Sequence, residues 1–260
     1  MEQANVALAY EEVGQGLPVV LVHGFPLDHT IWNPIVPLLK DHARLIMPDL
    51  RGFGRSPVTP GVYSMRTLAQ DLLALLDRLQ IGRAVLVGHS MGGYVSLAFA
   101  QAYPNRLAGL GMVASHAAAD SLERRQGRLN SADEVSRRGV RHLVANMAPR
   151  LTSHADLVEP LKTLMMGADP RAVAGSLRGM AERPAAESWL SSIAVPTLVL
   201  VGAQDSLVPL DAARTMTQLL GRAWLVEVPD AAHMPMMEAP QATADAIRQL
   251  IRAAREMNTD

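Results

Sequence analysis

The stretch Ala84-Val85-Leu86-Val87-Gly88-His89-Ser90-Met91-Gly92-Gly93-Tyr94 decides how the chain is read. A short run rich in β-branched residues is stopped by Gly88-His89-Ser90-Met91-Gly92. A helical stretch follows over Tyr94 to Tyr103, with Pro104 just beyond it. The Gly-x-Ser-x-Gly pattern acquires meaning in this strand–turn–helix context. A serine hydroxyl is a weak nucleophile and must be presented where a base can reach it. A sharp turn does this but crowds the backbone. The positions two before and two after the serine must then be nearly free of side chain, and Gly88 and Gly92 stand there. A helix opening after Ser90 also aims unpaired N–H groups and its positive dipole end at the reacting centre. The plainer reading, a glycine-rich turn that only packs tightly, explains less of the flanking pattern.

Outward from this turn, apolar runs alternate with helical stretches. Val6 to Glu12 alternates in part and reads as an edge strand, turned by Gly14-Gln15-Gly16. Pro18 to Val22 is a continuous apolar run, as expected of a strand buried on both faces. Ile31 to Leu39 reads as a short helix and Arg44 to Met47 as a strand. Met65 to Leu79 reads as a helix, with Leu68, Leu72, Leu75, Leu76 and Leu79 on one stripe and Ser64 as its cap. Leu107 to Val113 is the next strand. The rhythm then breaks: Ala117 to Trp189 holds helical segments near Leu122–Arg138, Val140–Met147, Ala155–Met166 and Arg171–Ala181, without a buried-strand run. Alternation resumes with strand Thr197–Val201, helix Asp211–Leu220, strand Ala223–Val228 and a final helix, Gln241–Glu256. Strands alternating with helices predict an α/β fold with a mostly parallel sheet covered on both faces. The predicted organisation is a core from 1–116, a helical cap inserted over 117–190, and the rest of the core from 191–260.

Composition narrows the classes. The chain has 260 residues, 49% of them hydrophobic, enough for a large core. Lys+Arg of 24 against Asp+Glu of 25 leaves a formal charge of -1, so no nucleic-acid partner or acidic membrane surface is expected. There is no cysteine, hence no disulfide framework, thiolate zinc site or cysteine nucleophile. Met1 to Asn5 lack a basic region followed by an apolar core, so no signal peptide is expected, and a cytoplasmic location fits. No stretch is apolar for long enough to span a bilayer. His23, His29, His89, His116, His142 and His154 are scattered without metal-ligand spacing, so no metal is expected.

Ligands of such sheets bind outside the carboxyl ends of the strands, so the residues just after each strand carry the chemistry. These are His23-Gly24-Phe25-Pro26, then Ser90, then Gly202-Ala203-Gln204-Asp205, then Pro229-Asp230-Ala231-Ala232-His233. Together with Pro48-Asp49-Leu50-Arg51-Gly52-Phe53-Gly54-Arg55-Ser56, Pro209, and Glu238 and Pro240 beyond His233, they resemble the α/β-hydrolases, in the capped esterase, lactonase and cofactor-free haloperoxidase branch. The resemblance covers nearly the whole chain and weakens in the inserted helices. The order Ser…Asp…His is that of the same fold.

The expected roles are Ser90 as nucleophile, His233 as general base and then acid, and Asp205 as the residue that orients the imidazole. Met91, the residue after the nucleophile, offers one backbone N–H to the oxyanion; the resemblance implies that Phe25 offers the other. Each such donor typically lowers a barrier by roughly 3–4 kcal/mol. Asp230, nearer His233 in sequence, and Asp120, soon after the Leu107–Val113 strand, are rival acids. The side chains of Phe25 and Met234 are candidates for the substrate pocket, a methionine being suited to irregular space. His23, His89, Asp49 and the Arg51–Gly54 turn are expected to brace loops. Arg124, Arg125, Arg128, Arg137, Arg138 and Arg141 are expected on a solvated cap face, and Trp189 as a packing residue.

The reading is a serine hydrolase acting without cofactor, through an acyl-enzyme, on a small or medium, largely apolar ester or lactone, as monomer or homodimer. Perhydrolysis of the cofactor-free haloperoxidase kind and C–C bond hydrolysis are alternatives on the same residues. A ligand receptor that retains the triad is an alternative of another class, told apart by its lack of turnover.

Overall fold

The computed structural model describes residues 4–257. Met1 to Gln3, part of the stretch on which the signal-peptide reading rests, lie outside them. Seven strands form one sheet: β1 (Tyr10–Val13), β2 (Pro18–Val22), β3 (Arg44–Pro48), β4 (Ala84–His89), β5 (Leu107–Val113), β6 (Thr197–Gly202) and β7 (Ala223–Val228), in the order β1-β3-β2-β4-β5-β6-β7. Only the β1–β3 pair is antiparallel among them. The strands β4, β5 and β6 are buried along their whole length, which is why they read as unbroken apolar runs.

Between strands lie α1 (Val36–Leu39), α2 (Met65–Arg78), α3 (Met91–Ala102), α4 (Leu122–Arg138), α5 (Arg141–Leu151), α6 (Ala155–Met166), α7 (Pro170–Ala181), α8 (Leu210–Leu219), α9 (Pro235–Glu238) and α10 (Pro240–Glu256). In α2, Ser64 Oγ accepts from Thr67 N at 3.0 Å to cap the start. Its leucines Leu68, Leu72, Leu75 and Leu76 are buried as the stripe requires; truncating one to alanine costs ~2–5 kcal/mol. The helices α4–α7 all fall between β5 and β6, with α4 packed on α7 and α5 on α6. Ser121 caps α4, and Gly139, with φ of 76°, ends it.

Register brings one set of strand ends together. Val22 pairs with Gly88, His89 with Val113, Val113 with Leu200, and Gly202 with Val228. The residues after β2, β4, β5, β6 and β7 therefore share one edge of the sheet.

Some local expectations are corrected. The edge strand begins at Tyr10, not Val6. The N–H of Val6 is taken by Asp71 Oδ1 at 2.9 Å and that of Ala9 by Ser56 Oγ at 2.9 Å, so side chains replace a ladder there. The helix expected over Ile31–Leu39 divides into a 3-10 turn, His29–Trp32, and the short α1, with Pro34 between them. The helix after Ser90 starts at Met91 rather than Tyr94. The second inserted helix runs through Pro149 to Leu151. Among the described residues no helix is long and apolar enough to cross a membrane.

Candidate active site

Ser90 sits between β4 and α3 with φ 51° and ψ -113°, a conformation few non-glycine residues adopt. Its neighbours hold it there. Ser90 N donates to Val113 O at 2.9 Å, while its carbonyl accepts from Gly93 N at 2.9 Å and Ser115 Oγ at 2.9 Å. A Cβ on Gly88 would lie 2.3 Å from Gly92 O, and one on Gly92 would lie 2.3 Å from Val22 O. The two glycines are required by close approach of backbone to backbone, as the turn demanded.

Ser90, His233 and Asp205 come together. His233 Nε2 is 3.0 Å from Ser90 Oγ, and His233 Nδ1 is 2.8 Å from Asp205 Oδ2. The Nδ1 proton donates to the carboxylate, which leaves Nε2 to accept from the serine hydroxyl. The other carboxylate oxygen, Oδ1, accepts from Leu207 N at 2.8 Å and Val208 N at 3.0 Å. Burial pushes the Asp205 carboxyl upward, but the hydrogen bond and charge of His233 and these two N–H groups outweigh it and hold it below the usual range. The rival acids lie elsewhere. Asp230 is exposed, and its carbonyl faces the His154 ring. Asp120 is buried against Arg128 at 2.6 Å and Arg183 at 2.9 Å.

The N–H groups of Phe25 and Met91 make no hydrogen bond among the described residues. Met91 opens α3, where backbone N–H groups have no intrahelical partner. Phe25 follows β2 in a turn and Met91 is the first residue of α3, both at the sheet edge that carries Ser90.

The remaining histidines at this edge hold loops. Burial depresses His23, although its bond to Gly24 opposes this. Its Nδ1–H donates to Gly24 O at 2.8 Å, and its Nε2 accepts from Leu50 N at 2.8 Å. His89 is pushed down to about 3, mainly by burial and then by the charge of His233. Neutral His89 donates from Nε2 to the carbonyl of His233 at 2.8 Å. Asp49 accepts from the N–H groups of His29 and Arg55, each at 3.0 Å, and from His29 Nδ1 at 2.7 Å, which braces the turn that follows β3.

A cavity of about 710 Å³ contains Ser90 and His233. Its core side is formed by Phe25, Tyr94, Leu207 and Val208, and its roof by residues of α4, α5 and α7, among them Val135, Met147 and Leu177. Two expectations are corrected here. Met234 does not line this cavity: it is fully buried, because its N–H is tied down by Glu238 and its side chain joins the core. The arginines are not all on a solvated face: Arg128 is half-buried and lines the cavity, while Arg124 and Arg150 line it from exposed positions. Arg128 turns inward to Asp120, which it shares with Arg183, and the Arg183 guanidinium lies 3.8 Å from the centre of the Tyr94 ring. Arg125, Arg137, Arg138 and Arg141 are exposed as expected. Trp189 is half-buried outside the main cavity. Sequence reasoning missed the cavity roles of Tyr94, Leu207 and Val208; the first lies one turn into α3 and the others two and three residues after Asp205.

A family model for the alpha/beta hydrolase fold matches residues 18–240. The chain belongs to the α/β-hydrolase fold family. This hydrolase is 42% identical to a thermophilic esterase from Thermogutta terrifontis, whose structure was solved with malate bound. The two superpose with a TM-score of 0.93 over 96% of this chain and 94% of that one. It is 31% identical over 231 residues to 3-oxoadipate enol-lactonase 1 of Acinetobacter baylyi, covering 86% of this chain and 84% of that protein. It is also 32% identical over 231 residues to the dihydrolipoyllysine-residue acetyltransferase component of the acetoin cleaving system of Pseudomonas putida. That match takes in 87% of the hydrolase but only 61% of the relative.

Proposed function

We propose that the protein is a serine hydrolase of carboxylic esters or lactones, working through an acyl-enzyme. The observation that carries this is the line from Asp205 Oδ2 to His233 at 2.8 Å and from His233 to Ser90 Oγ at 3.0 Å, opening into the cavity. Ser90 Oγ attacks the acyl carbon while His233 Nε2 takes the hydroxyl proton. The carbonyl oxygen becomes an oxyanion facing the N–H groups of Phe25 and Met91. The C–O bond to the alcohol breaks, and His233 returns the proton to the departing oxygen. Water, deprotonated by the same imidazole, then attacks the acyl carbon; the bond to Ser90 Oγ breaks, His233 returns the proton to Oγ, and the carboxylic acid leaves. Asp205 keeps the proton on Nδ1 and stabilises the imidazolium in each half. No step needs a cofactor.

The similarity to an esterase and to an enol-lactonase supports ester or lactone substrates. The cavity volume suits a small or medium one. The apolar wall of Phe25, Leu207 and Val208 beside Ser90 favours an apolar acyl group there. The segment 117–190 acts as a cap that sets substrate size and keeps water from the oxyanion. The test is a panel of p-nitrophenyl esters of increasing acyl length and of simple lactones, run with wild type and Ser90→Ala. Multiple turnovers by wild type and a loss on the order of a thousandfold or more in the folded variant are expected. Turnover that survives Ser90→Ala, or wild type that binds the panel without releasing product, would contradict the reading.

A further inference from the structure

Glu238 closes a connection between the inserted helices and His233. Its Oε2 accepts from Ala232 N at 2.9 Å and Met234 N at 3.0 Å, the two residues that flank His233. Its Oε1 accepts from Thr152 Oγ1 at 2.8 Å, Ser153 N at 2.8 Å and Ser153 Oγ at 3.1 Å, at the corner between α5 and α6. All of these partners can donate, which is the complement of a carboxylate's two acceptor oxygens. Bonds to a charged acceptor are about twice as strong as neutral ones. Glu238 and Thr152 are both buried, so solvent does not replace what they provide.

A second tie runs the same way: the ring Nε2 of His154, at the start of α6, lies 3.3 Å from the carbonyl of Asp230. Thr152 Oγ1 also accepts from His154 N at 3.0 Å, which fixes the corner itself. From the core side, His89 holds the carbonyl of His233. The backbone around the imidazole is thus pinned by His89 at the carbonyl and by Glu238 at the N–H on each side. Only the second pin reaches the inserted helices. The helix α5 that ends at this corner also lines the cavity, through Leu143, Asn146, Met147 and Arg150.

We infer that Glu238 is a positioning residue: it makes the placement of His233 over Ser90 depend on the α5–α6 corner, so the inserted helices set the turnover rate as well as substrate size. The inference rests on the proposed role of His233 as the base. A nucleophile and base displaced by about 1 Å lose on the order of a hundredfold in rate, so a carboxylate that fixes the loop has leverage on kcat.

The variants are Glu238→Gln, Thr152→Val and the double variant, in the full chain. Glutamine offers one carbonyl oxygen and so serves only one of the two sides. Thr152→Val removes one cap-side donor while keeping the shape. Two quantities are read: ester turnover, and the low-field proton resonance of the hydrogen bond between His233 Nδ1 and Asp205. Glu238→Gln is expected to lower kcat by about 10–100-fold with KM changed by no more than about twofold. Thr152→Val is expected to lower kcat by about threefold to tenfold, and the double variant to be about as slow as Glu238→Gln alone, because residues in one network do not add. The resonance should shift or broaden in each. A residue that only stabilises the fold would lower Tm and leave both kcat at 25 °C and the resonance unchanged. That result, in Glu238→Gln, or in Thr152→Val alone should the first variant not fold, would overturn the inference. Absence of turnover by wild type would count against the ester reading instead, with the resonance still deciding whether the corner is coupled to the imidazole.

Discussion

Asp205 Oδ2 lies 2.8 Å from His233 Nδ1, across 28 residues of chain and from the loop after a different strand. The carboxylate has a single oxygen for the imidazole, since Leu207 N and Val208 N occupy the other. Replacing it by an amide changes one thing above all: an Asn side chain can present N–H to Nδ1 and stabilise the wrong tautomer. Asp205→Asn is therefore expected to lower kcat by roughly four powers of ten with the fold retained. Asp230→Asn, on the surface, should cost less than about twofold. Asp120→Asn should lower Tm, because it leaves Arg128 and Arg183 without their shared carboxylate, while kcat falls far less than in Asp205→Asn. Steady-state kinetics and thermal melts on the three variants check this, and a larger kcat loss in Asp230→Asn or Asp120→Asn would redraw the triad.

Three buried histidines, His23, His89 and His116, give the fold an acid limit above the carboxylate range, each depressed chiefly by burial. His89 and His116 are each pushed from 6.5 down to about 3, burial being the largest cause; the charge of His233 adds to it for the first and Arg183 for the second. In the unfolded chain these last two imidazoles take up protons near 6.5, and in the folded chain only near 3. Below 6.5 the unfolded state binds more protons, so stability is full above that pH and falls as pH drops toward 3. The depressed carboxyls Asp49, Asp120 and Asp205 act in the same direction, but only below their ordinary value of 3.8. Urea midpoints measured from pH 7 to 4.5 should decline steadily in wild type. His116→Gln, which keeps an acceptor for the Tyr94 hydroxyl, should show a shallower slope. An unchanged slope in that variant would contradict the assignment.

The roof of the cavity offers a handle on specificity. Met147 on α5 and Leu177 on α7 line it, whereas Arg125 on α4 is exposed and does not. Met147→Trp and Leu177→Trp are expected to shift the ratio of kcat/KM for long over short acyl groups toward short by about tenfold, the usual reach of one methylene in an apolar pocket. Arg125→Gln should leave that ratio within about twofold. Rates across an acyl series decide it; an Arg125 effect equal to that of the roof residues would show that the preference is not set by the cavity walls.

What could be read in advance followed local rules. The strands β4 to β6 are apolar throughout because both faces are covered, and the segment read as helical over Leu122–Arg138 is α4, with the same bounds. Gly88 and Gly92 announced the turn at Ser90 because close backbone approach leaves no alternative. What was missed depended on distant partners. Val6 left the edge strand for Asp71, which stands 65 residues away. Arg128 turned inward because Asp120 and Met180 await it, while its place on a charged helix suggested water. Met234 followed a motif histidine and so suggested a pocket, yet Glu238 draws its backbone inward. Glu238 itself was visible only as a motif residue, since its Thr152 and Ser153 partners lie 86 and 85 residues earlier.

The central claim is that Ser90 is a nucleophile activated by His233, and covalent capture tests it most directly. Intact-mass spectrometry after incubation with a p-nitrophenyl phosphonate should show one adduct per chain, mapped to Ser90, with esterase activity lost in proportion to labelling. Ser90→Ala should take no label, and His233→Ala should label more slowly by about a thousandfold or more. Labelling of a different residue that tracks the loss of activity, or full activity in protein whose Ser90 is completely labelled, would contradict the account.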